Sequence, residues 1–224
     1  MARPRKSDST RQQLLSTGIA LLTAKGYHGT GIKELLDTVG VPKGSFYNFF
    51  PSKEAFVVAI IEHYGELEQQ EITHHIDDLE GQPALVQIWC AFSRKVWARV
   101  AEGESCACLL GAMAAEVAEV SEKCREALAA VEASWIELSA ALVAQAQTEG
   151  HLTNSLQASE LADLIYSSWQ GFLLHYQISN DPQHLLKQLW TLLGAFVTDN
   201  GRQCLESSAE ILKPQDFHPH SLSA

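Results

Sequence analysis

The stretch Thr30-Gly31-Ile32-Lys33-Glu34-Leu35-Leu36-Asp37-Thr38-Val39-Gly40-Val41-Pro42-Lys43-Gly44-Ser45-Phe46-Tyr47-Asn48-Phe49-Phe50 decides the fold of this 224-residue chain. Ile32, Leu35 and Leu36 recur at helical spacing and predict a short helix over about 31–38. Gly40-Val41 then makes a tight turn. Pro42 suits the first position of a second helix, where its missing N–H costs nothing. Phe46, Phe49 and Phe50 are expected to face a small core, which leaves Lys43, Gly44, Ser45, Tyr47 and Asn48 on the open side. A helix-turn-helix that reads DNA needs this division, because one face docks on protein while the other enters the major groove.

The flanks extend the pattern. Residues 10–25 place Leu14, Leu15, Ile19, Leu21 and Leu22 on one broad face, and Gly26 follows as a stop. Ser52 can cap the next helix, whose apolar set is Phe56, Val57, Ile60, Ile61, Tyr64 and Leu67. Further helices are expected at about 84–101, 106–118, 121–147, 157–178 and 182–205, separated by Gly, Pro and Asn-Asp punctuation. The count is about nine helices with no strand, an all-α fold. The expected boundaries are a helix-turn-helix domain over 1–64, an effector-binding and dimerisation domain over 65–212, and a frayed tail over 213–224.

Net charge is −11, yet it is divided unevenly. Residues 1–63 carry eight Lys/Arg against five Asp/Glu, and residues 64–224 carry eight against twenty-two. A mildly basic head on an acidic body suits a protein that presents one end to phosphate. Arg3, Arg5 and Lys6 would form a basic arm along the duplex. Lys43 can reach a guanine edge or a phosphate, Ser45 and Asn48 supply short donors and acceptors, and Gly44 permits close approach. Tyr47, Thr30 and Lys53 suit phosphate contacts, the last two beside helix N-termini. The competing reading makes Lys43 and Lys53 solvated charges and Tyr47 a rim aromatic.

The run Leu22-Thr23-Ala24-Lys25-Gly26-Tyr27-His28-Gly29-Thr30, with Gly40 to Phe50 and Ser52-Lys53-Glu54, closely resembles the N-terminal domain of the TetR family of repressors. The resemblance is dense over about residues 10–64. It implies an all-α homodimer on a pseudo-palindromic operator, with an effector pocket and the dimer interface in the C-terminal domain. By position it carries DNA contact to Thr30, Lys43, Gly44, Ser45, Tyr47, Asn48 and Lys53. Asn48 stands where many members have His. Cys108-Leu109-Leu110, Ala115-Glu116-Val117, Ser121-Glu122 and Trp169-Gln170-Gly171 look most like the branch of the N-ethylmaleimide-reductase and acrylate-responsive repressors. In that branch the position of Cys108 is associated with sensing electrophiles or oxidants, although Gln177 stands roughly where the electrophile-sensing relative has lysine.

An effector could be held by Trp89, Phe92, Cys108, Glu116, Trp135, Trp169, Phe172, His175 and Tyr176, with His175, Tyr176 or Glu116 orienting a polar group. Alternatively the aromatics are ordinary core and the cysteines small apolar fillers. Leu161, Leu164, Ile165, Trp169 and Phe172, followed by Leu185, Leu189, Leu192, Leu193 and Phe196, offer apolar surface enough for a two-fold four-helix interface. Five cysteines, an odd number, argue for free thiols in a cytoplasmic protein. No run of about 18 apolar residues, signal peptide, metal-ligand spacing, cofactor motif or catalytic constellation stands out. A helical small-molecule or lipid-handling protein with a merely structural N-terminal motif is the competing function. A regulator that senses by thiol chemistry at Cys108 is a third.

Overall fold

The computed structural model describes residues 6–208 and 211, with side chains from residue 9 onward. Among the described residues there are ten helices and no strand: α1 (Lys6–Gly29), α2 (Ile32–Val39), α3 (Lys43–Phe46), α4 (Lys53–Asp77), α5 (Ala84–Glu102), α6 (Leu109–Val117), α7 (Glu122–Thr148), α8 (Ala158–Ser179), α9 (Pro182–Gly194) and α10 (Asp199–Ser207). The all-α expectation holds. Arg3, Arg5 and the tail expected over 213–224 lie outside the described residues, as does the side chain of Lys6.

The chain divides into two compact units. One comprises residues up to Glu68 together with Cys108–Glu132, and the other Gln69–Ala107 with the residues from Ala133 onward. In the first, Leu14, Leu15 and Leu22 of α1 are buried with Leu35 and Leu36 of α2 and with Phe56, Val57, Ile60 and Ile61 of α4. Phe46 sits at the centre, fully buried, with its ring 5.5 Å from Phe50 and 5.3 Å from Phe56. Truncating such a side chain costs about 3–5 kcal/mol. Of the three phenylalanines expected inward, Phe49 is only half-buried, because the short helix ends at Phe46 and the chain then turns.

In the second unit Trp89 of α5 meets Trp190 of α9 edge-on at 5.0 Å, and Phe92 meets Trp169 of α8 at 4.9 Å. Leu161 and Ile165 of α8 and Leu185 and Leu189 of α9 are buried. Side-chain caps set the helix starts: Asp181 accepts from the Gln183 and His184 N–H groups, and the Glu149 carboxylate accepts from the Ala84 N–H at 2.9 Å.

Two expectations need correction. The helix expected over 182–205 is two helices, α9 and α10. Residues 150–153 pair with 196–198, through Leu152 opposite Val197, Thr153 N–H to Phe196 O and Thr198 N–H to His151 O, and draw the chain out of the helix. Thr198 then caps α10 by accepting from the Gly201 N–H. The second correction concerns hydropathy: α7 is long and apolar enough by composition to match a membrane span, although Glu132 and Glu137 interrupt it. Cys124, Ala127 and Leu128 are buried near its start, Val143 and Ala146 near its end, while both glutamates are exposed.

Candidate nucleic-acid interface and effector region

The turn that aims α3 is built from local chemistry. Gly40 adopts a left-handed φ of 69°, and its N–H and that of Val41 both close on the Leu36 carbonyl. Pro42 is extended, with ψ 144°, so it caps α3 from outside and Lys43 is the first helical residue. Pro42, Lys43, Gly44, Tyr47 and Asn48 are exposed, Ser45 is half-buried, and Tyr47 shows 49% of its surface while the adjacent Phe46 shows none. One turn of chain therefore carries a buried anchor and a polar face. Lys43 has no hydrogen-bond or ion-pair partner among the described residues, so its ammonium is available to an external anion. Lys33, exposed in the first turn of α2, is in the same position and was passed over in the sequence, where only its proximity to Thr30 could have flagged it.

Lys25, Arg11 and Lys53 of the head, by contrast, are engaged. Lys25 pairs with Glu34 across α1 and α2. The Arg11 guanidinium lies 5.4 Å from the centre of the Phe50 ring. Lys53 donates to the carbonyls of Tyr27 and Thr30 at 3.3 and 3.1 Å. Its expected phosphate contact thus meets an ammonium already turned onto the carboxyl end of α1, where helix carbonyls favour positive charge. Thr30 is also turned inward: it is buried, and its hydroxyl donates to Gly26 O at 2.8 Å and to Leu21 O at 3.3 Å. Its side chain is not free to hold a phosphate.

The nine residues expected at an effector are divided between the two units. Cys108 and Glu116 belong to the first unit and the other seven to the second. One oxygen of the Glu116 carboxylate accepts from the Tyr27 and His28 N–H groups at 2.8 and 3.2 Å, so it holds backbone. Cys108 is buried at the N-cap of α6. Trp89 packs in the core against Trp190, and Trp135 meets Tyr166 at 6.2 Å. His175 is exposed, its ring 5.5 Å from the exposed His184, because it lies on the outer face of α8.

Phe92, Trp169, Phe172 and Tyr176 remain on inward-facing or half-buried positions. The Cys106 thiol donates to the Val96 carbonyl at 3.9 Å, and burial pushes the thiol up against the opposing pull of Tyr176, Arg99 and Lys95. Burial, then Cys106, raises the Tyr176 phenol in turn. The buried Ser93 hydroxyl and Trp97 indole N–H, one turn apart on α5, have no hydrogen-bond partner among the described residues and were not singled out as polar groups in the sequence. A lone serine in an apolar helix gives no such signal. No group of three or more His, Cys, Asp or Glu among the described residues is arranged to hold a metal ion.

Residues 14–60 match the family model "Bacterial regulatory proteins, tetR family", and residues 83–191 match "Tetracyclin repressor-like, C-terminal domain". The HTH-type transcriptional repressor NemR of Escherichia coli (strain K12) is 33% identical over 176 residues, 79% of this chain and 88% of that protein. The transcriptional regulator AcuR of Cereibacter sphaeroides is 30% identical over 188 residues, covering 84% and 85%. The HTH-type transcriptional repressor DhaR of Mycobacterium sp. (strain GP1) is 28% identical, covering 78% and 86%. The crystal structure of E. coli NemR in its reduced form superposes with a TM-score of 0.74 at 32% identity, over 85% of this chain and 97% of that one.

Proposed function

The chain belongs to the TetR family of bacterial transcriptional regulators, and on that premise we propose that it is a ligand-responsive repressor. In this reading it binds a pseudo-palindromic operator in the cytoplasm as a homodimer and acts by binding, without catalysis. Each α3 enters a major groove, with half-sites roughly 34–36 Å apart. The observation that carries the proposal is the division of residues 42–50, with Phe46 and Phe50 buried and Lys43, Gly44, Tyr47 and Asn48 turned out. Lys43, Ser45 and Asn48 read bases. Tyr47, Lys33 and the basic arm of Arg3, Arg5 and Lys6 hold phosphates, and Thr30 and Lys53 support the frame from within. The functional boundary near residue 64 separates the reading head from the effector and dimer domain.

Dimerisation is supported by α8, where Leu164, Leu174 and Ile178 are 39%, 65% and 83% exposed. At 100° per residue they share one face with Ser167 and Gly171, a stripe that a two-fold copy of itself would cover. Effector recognition is supported by the aromatic positions Phe92, Trp169 and Tyr176 together with the buried Ser93 and Trp97 donors, which suit an uncharged ligand bearing hydrogen-bond acceptors. A second reading, release by reaction at Cys108, is favoured by the place of that thiol at the N-cap of α6. Cys108→Ser protein that still leaves DNA on treatment with an electrophile would exclude it.

The test is to sequence genomic fragments retained by purified protein and then titrate the recovered duplex. Lys43→Ala with Asn48→Ala should lose selective retention while keeping the fold. Equal retention by that variant would remove the assignment of α3 as the reading helix.

A further inference from the structure

Residues 32–50, the α2–α3 pair, hang between two chain segments, the end of α1 and the start of α4, and each of those segments is held by a carboxylate. At the first, Gly26 takes φ 70° and ψ 179°, a conformation open in practice only to glycine, and the regular helix is broken there. The Tyr27 and His28 N–H groups beyond the break are collected by one oxygen of Glu116 at 2.8 and 3.2 Å. At the second, Glu54 in the first turn of α4 accepts from the Ser121 hydroxyl at 2.8 Å and pairs with Lys123 at 3.4 Å. Ser121 also caps α7 by accepting from the Cys124 N–H at 3.2 Å. Lys53 closes the frame by joining the start of α4 to the Tyr27 and Thr30 carbonyls. All of these groups lie in the first compact unit, which is why Cys108–Glu132 belongs with the N-terminal helices.

We propose that Glu116 and Ser121, on either side of the α6–α7 junction, are the positioning residues of the DNA-reading pair, fixing both of its ends through Tyr27-His28 and Glu54. The inference rests on the DNA-reading function above and deepens it, since it names the residues that aim the reading helix without touching DNA. A charge-assisted bond to two backbone N–H groups is directional, so shifting α6 by the length of a hydrogen bond must either carry the end of α1 with it or break the tie. Any effector that moves α6 therefore acts on the head through Glu116.

The test compares Glu116→Ala, Glu116→Gln and Ser121→Ala in the full chain. Removing a negative charge from a DNA-binding protein should strengthen binding to any duplex if electrostatics alone operate. If Glu116 positions the head, Glu116→Ala instead lowers affinity for the recovered operator about tenfold while binding to random duplex stays level or rises. Amide exchange at Tyr27 and His28 accelerates in the same variant. Glu116→Gln, which keeps one acceptor oxygen, falls between wild type and Glu116→Ala, and serves if the alanine variant does not fold. Ser121→Ala lowers operator selectivity without accelerating exchange at residues 27–28. Unchanged operator affinity in the folded Glu116 variants overturns the proposal, as does an equal loss on operator and random duplex. Wild-type protein that binds no duplex would overturn the DNA-reading function instead, and the exchange measurement separates the two failures because it needs no DNA.

Discussion

The Lys53 ammonium lies 4.2 Å from the centre of the Tyr27 ring while donating to the Tyr27 and Thr30 carbonyls. A lysine at this point of the sequence looks like a phosphate ligand, and the fold turns it into a cap for the end of α1. Lys53→Met should therefore cost about 1–2 kcal/mol of stability, the sum of a cation at a helix C-terminus and a cation–π contact. The slope of log affinity against log salt should stay within a few tenths of the wild-type value. A fall of about 0.9 would mean that a phosphate contact was lost and that Lys53 reaches DNA.

Gly26→Ala meets two obstacles. The backbone conformation is strained for any residue with a side chain, and an added Cβ would fall 2.4 Å from Glu116 Oε1. Destabilisation of about 1–3 kcal/mol is expected in a denaturant titration. The same substitution inside an ordinary helix would stabilise, by up to about 1 kcal/mol, so the sign of the change is enough to decide.

Ser45 and Tyr47 should separate by kind of effect. Tyr47→Phe removes an exposed hydroxyl, and binding should weaken about equally on operator and random duplex. Ser45→Ala should leave random binding unchanged and lower discrimination at one base position by about 1 kcal/mol. Competition binding with single-base operator variants reads both. Identical profiles for the two proteins would dismiss the division of roles.

On α8, Leu174→Glu with Ile178→Glu places two charges on the exposed apolar stripe. Sedimentation velocity should show a monomer where wild type gives a dimer, with helix content by circular dichroism unchanged because neither side chain is buried. A double variant that still sediments as a dimer would move the interface elsewhere.

Glu71 should contribute to the acid limb of stability in the second unit. Burial raises its carboxyl, but Lys95 at 3.5 Å and Arg99 at 3.3 Å outweigh burial and hold it below its ordinary value of 4.5. A depressed folded value means stability that is present above pH 4.5 and lost as pH falls through the lowered value. Wild type should thus lose melting temperature below pH 4.5 more steeply than Glu71→Gln. Parallel curves for the two proteins would show that the ion pairs do not matter.

The reading head was legible because its signals are local. Gly40 at a left-handed turn, Pro42 ahead of a helix, Ser52 accepting from the Ala55 N–H and aromatics spaced to face one side each depend on residues a few positions away. The same holds for most helix boundaries and for the uneven charge. Helix 182–205 was misread because the break at 195–198 depends on pairing with residues 150–153, far back in the chain.

The sequence by itself determined the helices other than the broken 182–205 segment, the turn between α2 and α3 and the polar face that α3 presents, since backbone conformation and periodicity are set there over a few residues. Only the tertiary structure decided what the polar side chains do. Glu116 reaches Tyr27 across 89 positions, Lys53 and Thr30 face carbonyls instead of solvent, and His175 lies on an outer face. A carboxylate or an ammonium takes whichever partner the fold brings within about 3 Å, and no local pattern specifies a partner so distant along the chain.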